Sequence, residues 1–121
     1  MMKKMLTMLV MIMLCVGLAV TASAATYTGT TDKCTWIFDD STGVLTISGS
    51  GAMANYSSSN NPPWASYKDN IQTIVINEGV TSIGSYAFYQ HSSLTKVFIP
   101  GSVEAIGNNA FYSCTNLSTV E

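Results

Sequence analysis

Residues 71–93 have the sequence IQTIVINEGVTSIGSYAFYQHSS, and residues 94–116 have the sequence LTKVFIPGSVEAIGNNAFYSCTN. The two stretches are copies of one pattern at an offset of 23 residues. Seven aligned pairs are identical: Ile76/Ile99, Val80/Val103, Ile83/Ile106, Gly84/Gly107, Ala87/Ala110, Phe88/Phe111 and Tyr89/Tyr112. Residues 117–121 begin a third copy with the same apolar spacing. So many identities at one offset indicate an internal repeat.

Each copy contains a short strand whose apolar side chains face one interior. Val97 and Ile99 alternate onto the same face of the second strand, and Leu94 enters that interior just before it. Pro100-Gly101 ends the strand, because proline cannot donate to a sheet ladder and glycine accepts turn dihedrals. The side chains between the inward ones therefore point away from the interior.

The segment that leads to the next strand is predicted to contain a short helix. Asn108 is a suitable N-cap for a helix at residues 109–113, which would bury Ala110 and Phe111. Ser85 is the matching cap in the first copy. One such unit cannot cover its own apolar face, and a period of about 20–29 residues is typical of a leucine-rich solenoid. The predicted fold is an α/β leucine-rich-repeat solenoid, with a parallel strand ladder and short helices or 3₁₀ turns opposite it.

Two stretches of the repeats are similar to one known family. GVTSIGSYAFY at residues 79–89 and IPGSVEAIGNNAF at residues 99–111 resemble BspA-like leucine-rich repeats. Trp36, residues 43–53 and residues 63–64 resemble the cap region that precedes such repeats. The resemblance implies a secreted or surface-displayed bacterial protein that binds other macromolecules and is not a catalyst.

This organisation divides the chain into four segments. They are a secretory signal peptide (1–24), a polar lead-in (25–33), an N-terminal cap region (34–70) and the repeats (71–121), which comprise 71–93, 94–116 and a partial copy at 117–121. Members of the family usually carry many repeats, so the chain is expected to be the front end of a longer protein. Because stable stacks need about three units and a terminal cap, we expect this chain to be marginally stable or self-associating.

The signal peptide is predicted from three features. Two lysines at residues 3–4 are followed by an uncharged apolar run at residues 5–20. The sequence ASA at residues 22–24 fits a small-x-small cleavage site, with Ala25 as an alternative end. The apolar run is shorter than the roughly 20 residues that a membrane-spanning helix needs. The rest of the chain is therefore predicted to be secreted or held at the cell surface.

The charge of the remaining chain disfavours nucleic acid and anionic lipid as partners. After residue 24, three lysines stand against seven carboxylates, which gives a formal charge of −4, and no arginine is present. Phosphate binding needs clustered cations, and a lipid surface needs a polybasic patch. Adjacent Asp39 and Asp40 lack the spacing of a calcium loop, so we interpret them as hairpin residues that bond local backbone.

The cap region is predicted to begin with a β-hairpin of residues 34–38 and 44–48, whose apolar residues alternate. The lead-in at residues 25–33 has no such periodicity and is expected to fray. After the hairpin, Trp64 and Tyr67 are expected to pack over the open edge of the first repeat, since a solenoid needs such a cap.

The sequence offers little for catalysis or metal binding, and we predict no enzyme activity, metal or cofactor. His91 is the one histidine, and Cys114 stands at the equivalent position of the next copy. Two ligands are too few for zinc, so both residues are interpreted as fillers in a side-chain ladder. Cys34 and Cys114 belong to opposite ends of the stack. Both are predicted to be free thiols, with Cys114 buried.

The outward side chains of the strands form the predicted partner-binding site: Thr73, Val75, Lys96 and Phe98. Val75 and Phe98 would be an exposed apolar pair flanked by polar residues, as at many binding surfaces of repeat proteins. In the alternative interpretation, such residues simply suit a sheet surface. The predicted function is protein–protein contact or adhesion, with host or neighbouring-cell surface proteins as partners.

A carbohydrate-active role is the alternative function. Trp64 and Tyr56 are then the candidate glycan contacts, with the carboxylates as candidates for hydrolysis. The carboxylates are too scattered along the chain to nominate a catalytic pair.

Overall fold

The computed structural model describes residues 24–121, which form two sheets joined by turns. The predicted signal peptide lies outside the described residues except for Ala24. The strands are β1 (Thr26–Thr31), β2 (Cys34–Asp39), β3 (Val44–Gly49), β4 (Gly51–Ala52), β5 (Thr73–Ile76), β6 (Val80–Ile83), β7 (Lys96–Phe98), β8 (Ala105–Ile106) and β9 (Thr119–Val120). Within this range one 3₁₀ helix is present, Ala65–Asn70. None of the helical structure in residues 24–121 has the length and apolar character needed to cross a membrane.

The front sheet has the strand order β1-β2-β3-β5-β7-β9 and contains the predicted parallel ladder. β1, β2 and β3 pair antiparallel, whereas β3, β5, β7 and β9 pair parallel. Ile74 pairs with Val97 and Val97 pairs with Val120, so neighbouring strands are offset by one repeat period. The parallel ladder is confirmed, and β3 shows that the cap supplies its first parallel strand.

A second sheet consists of β4, β6 and β8, all paired in parallel. Its central strand turns Val80 and Ile83 into the core, where both are buried. Only one strand was predicted in each copy, so this second sheet was not anticipated. Two of the three strands have only two residues each, which is too short for an alternating pattern to reveal them.

The helix predicted at residues 109–113 is wrong, and Asn108 and Ser85 do not cap helices. Residues 108–113 form consecutive turns. Asn109 and the equivalent Tyr86 both have a φ of 59°, a left-handed conformation that a right-handed helix does not contain. Of the two residues predicted to be buried in this segment, Ala110 is buried and Phe111 is half-buried.

Hydrogen bonds between copies explain why turns replace the helix. The Phe88 amide donates to the Ala110 carbonyl of the next copy at 2.8 Å, whereas the preceding Ala87 amide donates back to Gly84 at 3.2 Å. Amides thus alternate between the neighbouring copy and a local turn. A helix would direct them all within its own segment, and an isolated helix of about five residues is too short to be stable. Stacking therefore favours the turns.

The lead-in is a strand, contrary to the expectation that it would fray. β1 pairs with β2 along its full length and becomes the edge of the front sheet. Tyr27 holds it against the cap, since its ring centroid is 4.5 Å from that of Tyr67 and 6.4 Å from that of Phe38. Threonine and tyrosine favour strands, and exposed threonines alternating with half-buried residues were the missed signal.

The predicted hairpin is confirmed, because β2 and β3 pair antiparallel with Trp36 opposite Ile47. Both of these side chains are buried. In the connecting loop, Oδ1 of Asp39 accepts hydrogen bonds from Ser41 N at 2.9 Å and from Ser41 Oγ at 2.7 Å. The interpretation of this aspartate as a local backbone partner is confirmed as well.

Trp64 closes the first repeat as predicted. It is fully buried, with its ring centroid 5.6 Å from Phe88 of the repeat and 5.9 Å from Trp36 of the hairpin. Its indole N–H donates to the carbonyl of Ala87 at 2.9 Å. The cap and the first repeat therefore share one core.

Burial decreases toward the last copy. Ile83 is 1% exposed, whereas the equivalent Ile106 is 52% exposed. Val97 is fully buried, whereas the equivalent Val120 is 60% exposed. Within the described chain, β8 and β9 have no further strand stacked on them. The stack thus has one end covered by the cap and one end with uncovered apolar side chains.

Candidate partner-binding face

The outward side of the front sheet is called the strand face here. It includes two rows of side chains around the predicted site: Ile37, Thr46, Val75 and Phe98 in the first row, and Val44, Thr73 and Lys96 in the second. Successive residues of a strand point to opposite faces. The strand face therefore carries the side chains that alternate with the buried core.

The structure brings the four predicted residues together on this face. In β5, buried Ile74 and Ile76 alternate with half-buried Thr73 and Val75. Lys96 pairs with Thr73 and Phe98 pairs with Val75, so the four side chains are direct neighbours. Their binding role stays a prediction.

Phe98, the largest apolar side chain of the two rows, lies beside the cationic side chain of Lys96. Nζ of Lys96 lies 5.8 Å from the ring centroid of Phe98, within the range of a cation–π contact. Lys96 is exposed and Phe98 is half-buried. The patch therefore offers an aromatic ring and a positive charge side by side.

The first row continues into the cap, which the sequence analysis did not include in the site. Ile37 pairs with Thr46, and Thr46 pairs with Val75. Ile37 is 49% exposed, although it is a large apolar residue. The signal was available, because Trp36 and Phe38 point inward and Ile37 between them must point outward. It was missed because the hairpin was not predicted to join the repeat ladder.

His91 and Cys114 lie away from the strand face, and their surroundings keep both uncharged. His91 is fully buried, and burial lowers the pKa of its imidazole from 6.5 to about 4, opposed by a hydrogen bond at 3.1 Å to the Tyr89 carbonyl. Cys114 donates from Sγ to the Phe88 carbonyl at 3.1 Å, and burial raises the pKa of its thiol. These contacts support the interpretation as packing residues.

The two described cysteines are free thiols, as predicted, but Cys114 is not fully buried as expected. Cys34 is fully buried, whereas Cys114 is half-buried. Burial raises the pKa of the Cys34 thiol, with a further contribution from Asp32. Cys114 is less covered than predicted because it belongs to the last full copy. Within residues 24–121, no group of three or more His, Cys, Asp and Glu side chains could hold a metal ion.

The residues named for glycan contact do not form a sugar platform. Trp64 is fully buried, so the alternative interpretation as a glycan contact is wrong for this residue. Tyr56 is half-buried, with its hydroxyl 2.6 Å from Oγ1 of Thr31. Stacking on a sugar requires an open ring face, and the Trp64 ring is enclosed between the hairpin and the first repeat.

An open depression of about 450 Å³ lies beside β1, where Tyr27, Phe38 and Tyr67 meet Asp40 and Ser41. Tyr67 lies with its ring centroid 4.5 Å from Tyr27 and 5.4 Å from Phe38. The rings are stacked on one another, which uses much of their apolar surface. Sequence reasoning missed this cluster because Tyr27 was assigned to the lead-in.

Comparison with known proteins finds one family that the repeats match. Residues 64–121 match the family described as BspA type Leucine rich repeat region (6 copies). The chain is similar to the crystal structure of a leucine-rich repeat protein from Eubacterium ventriosum, with 32% identity and a TM-score of 0.69, over 79% of this chain and 28% of that one.

A second solved structure, a leucine rich cell surface protein from Faecalibacterium prausnitzii, matches with 23% identity and a TM-score of 0.45, over 83% of this chain and 30% of that one. The chain thus spans less than a third of either structure. Among curated proteins, none matches the chain at a significant level.

Proposed function

Because residues 64–121 belong to the BspA-type leucine-rich repeat family, we propose that this chain is a binding module that contacts other proteins through its strand face. It performs no catalysis, and its role is adhesion or recognition at the cell surface or outside the cell. Repeat proteins of this kind bind partners along the extended surface that their stacked strands create.

The observation that carries the proposal is the first row of the strand face. Ile37, Val75 and Phe98 place apolar surface on three strands of one continuous sheet, and Ile37 is 49% exposed. Exposed apolar groups on neighbouring strands form the centre of many protein contacts, and an aromatic anchor there is typical of binding hot spots.

The chemistry of the face indicates the kind of partner. The described chain has few cations, and Lys96 is the one within the two rows of the strand face. A folded protein with an apolar patch and a neighbouring carboxylate would match Phe98 and Lys96. Nucleic acid fits poorly, since the chain after residue 24 has a formal charge of −4.

The predicted export signal supports a role at the cell surface or outside the cell. The basic, apolar and small-x-small regions of Met1–Ala24 are those of a secretory signal peptide. A protein exported in this way meets host proteins and the surfaces of neighbouring cells, which are the proposed partners.

The test is a binding titration of the purified protein against a panel of host and bacterial surface proteins. With any partner found, Phe98→Ala should weaken binding by about 1–3 kcal/mol, the range for a hot-spot aromatic. Ile37→Ser should weaken the same complex, because it removes the apolar group at the other end of the row. Tyr112→Ala is the matched control, since Tyr112 is an aromatic residue that is 58% exposed outside the front sheet.

Binding that is lost equally in Phe98→Ala and Tyr112→Ala would contradict the proposal, as would a partner indifferent to both Phe98→Ala and Ile37→Ser. Thermal melts of each variant distinguish loss of contact from loss of folding. Phe88→Ala, which truncates a fully buried ring, shows what loss of folding looks like in the same assay.

A further inference from the structure

The first described residues lie against the carboxylate of Asp40. The amide nitrogen of Ala25 donates to Oδ1 of Asp40 at 2.9 Å, and the amide of Asp40 donates to the Ala25 carbonyl at 3.0 Å. Ala25 and Asp40 thus extend the β1–β2 ladder beyond its last pair, Thr26 and Asp39. In a regular antiparallel pair of this kind both bonds run between backbone groups. Here the side chain of Asp40 replaces its own carbonyl as the acceptor.

Asp40 has no cationic side chain beside it in the described chain. Within residues 24–121, the ion pair present is Lys68 with Asp69, at 3.5 Å. The adjacent Asp39 carboxylate is occupied by Ser41 of the same loop. An exposed carboxylate with a single amide donor has the capacity to accept further hydrogen bonds and a positive charge.

Ala25 directly follows the ASA sequence at residues 22–24. Cleavage after Ala24 hydrolyses the Ala24–Ala25 peptide bond: water leaves its hydroxyl on the Ala24 carbonyl carbon and a proton on the Ala25 nitrogen. That nitrogen takes a further proton from solvent and becomes an ammonium group. Cleavage after Ala25 would instead remove the residue that makes both bonds to Asp40.

We propose that the mature chain begins at Ala25 and that its new α-ammonium group forms an ion pair with Asp40. The inference rests on the proposed export of the chain. Cleavage by the signal peptidase of the cell that exports the chain then converts a neutral amide hydrogen bond into a charge-assisted one. Such a bond is shorter and stronger. It also ties down the free end of an edge strand, a position that otherwise frays.

The first test locates the new end. The full 121-residue chain is exported from a bacterial host, and the product is analysed by intact mass and N-terminal sequencing. The expected product begins Ala25-Thr26-Tyr27. A product that begins at Thr26 overturns the inference but leaves export standing, whereas an uncleaved product overturns both.

The second test isolates the charge. Asp40→Asn is introduced into the chain that begins at Ala25 and into a matched chain that keeps Ala24, in which the ammonium group lies one residue further away. We expect the substitution to lower the melting temperature by about 2–4 °C in the first chain, as for a surface ion pair in a domain of this size. The loss should be smaller in the second chain and should shrink at about 1 M salt.

Equal losses in the two chains overturn the ion pair. A second readout is independent of melting: the α-amine should react with an acylating reagent more slowly in the chain that begins at Ala25 than in its Asp40→Asn variant. Equal reaction rates would also overturn the ion pair.

Discussion

At the scale of single residues, two buried tryptophans of the cap differ in whether the indole N–H has an acceptor. Trp64 donates to the Ala87 carbonyl at 2.9 Å. Trp36 is 4% exposed, and its indole nitrogen has no hydrogen-bond partner within residues 24–121. A buried donor without a partner costs about 1–3 kcal/mol. Trp36 thus contributes its ring to the core while its N–H lowers the stability.

This difference makes a prediction for a matched pair of substitutions. Trp64→Phe leaves the buried Ala87 carbonyl without its donor, whereas Trp36→Phe removes a donor that has no acceptor. We expect Trp64→Phe to lower the free energy of unfolding by about 1–2 kcal/mol more than Trp36→Phe. Urea denaturation of both variants measures the difference. Equal losses of unfolding free energy would contradict the prediction and show that the lost ring packing alone sets the cost of each substitution.

His91 also fills a buried position, where a charged imidazole would lose its hydration. Burial lowers its pKa to about 4 in the folded protein, against about 6.5 in an unfolded chain. Between these values the unfolded chain binds a proton that the folded protein does not. The part of the unfolding free energy that depends on a neutral His91 is therefore fully present above about pH 6.5. It is lost as the pH falls toward about 4.

We expect burial of His91 to lower the free energy of unfolding by about 3 kcal/mol at pH 4, relative to pH values above 6.5. His91→Cys introduces the residue that the next copy has at this position and removes the group that titrates. Denaturation of both proteins between pH 4 and pH 8 should show the wild type losing stability more steeply than the variant. Parallel pH profiles would mean that His91 is protonated without penalty.

At the scale of elements, the successive repeats stack as coils, and the cap supplies the first coil of the stack. The spacing between neighbouring coils depends on a glycine in each repeat. A Cβ atom added to Gly84 would overlap the Ala54 carbonyl oxygen, and one added to Gly107 would overlap the Ser85 nitrogen. Both positions occur at the same place in the repeat. Backbone therefore packs directly on backbone where one coil meets the one before it.

Gly84→Ala is expected to destabilise the fold by about 3 kcal/mol, because the backbone of two coils must separate to admit one methyl group. Gly101→Ala is the control, since a Cβ there meets nothing within 4 Å. It should change the stability by less than about 0.5 kcal/mol. Thermal melts of both variants test the prediction, and a Gly84→Ala protein that melts with wild type would refute close packing at this position.

At the scale of the whole molecule, the two ends of the stack differ. The hairpin and Trp64 cover the first coil, whereas Val120 and Ile106 at the other end are 60% and 52% exposed. Val120 pairs with buried Val97, so its side chain continues the core row. Unpaired strand edges with apolar side chains invite pairing with another chain.

We therefore expect residues 24–121 to self-associate through β8 and β9. Val120→Lys should shift the protein toward monomer, because an inward-pointing charge blocks stacking at that end. Thr28→Lys, on the edge strand β1 at the opposite side of the sheet, should leave the association unchanged. Sedimentation velocity over a range of concentrations measures both, and a wild-type protein that stays monomeric throughout would contradict the prediction.

The sequence alone determined the features that repeat or alternate. The offset between Ile74 and Val97 set the register of the ladder, and the alternation around Trp36 placed the hairpin. The same alternation placed Val75 and Phe98 on the outward side. These features depend on two periodicities that can be read from the sequence, the 23-residue repeat and the two-residue alternation within a strand.

Only the tertiary structure decided the features that depend on which segments meet. The turns at residues 108–113 replaced a helix because amides bond across to the neighbouring copy, and β1 formed because β2 offered it a partner. Ile37 joined the first row of the strand face only when β3 paired with β5. Local sequence does not encode these outcomes, since each depends on hydrogen bonds or burial supplied by residues distant in the chain.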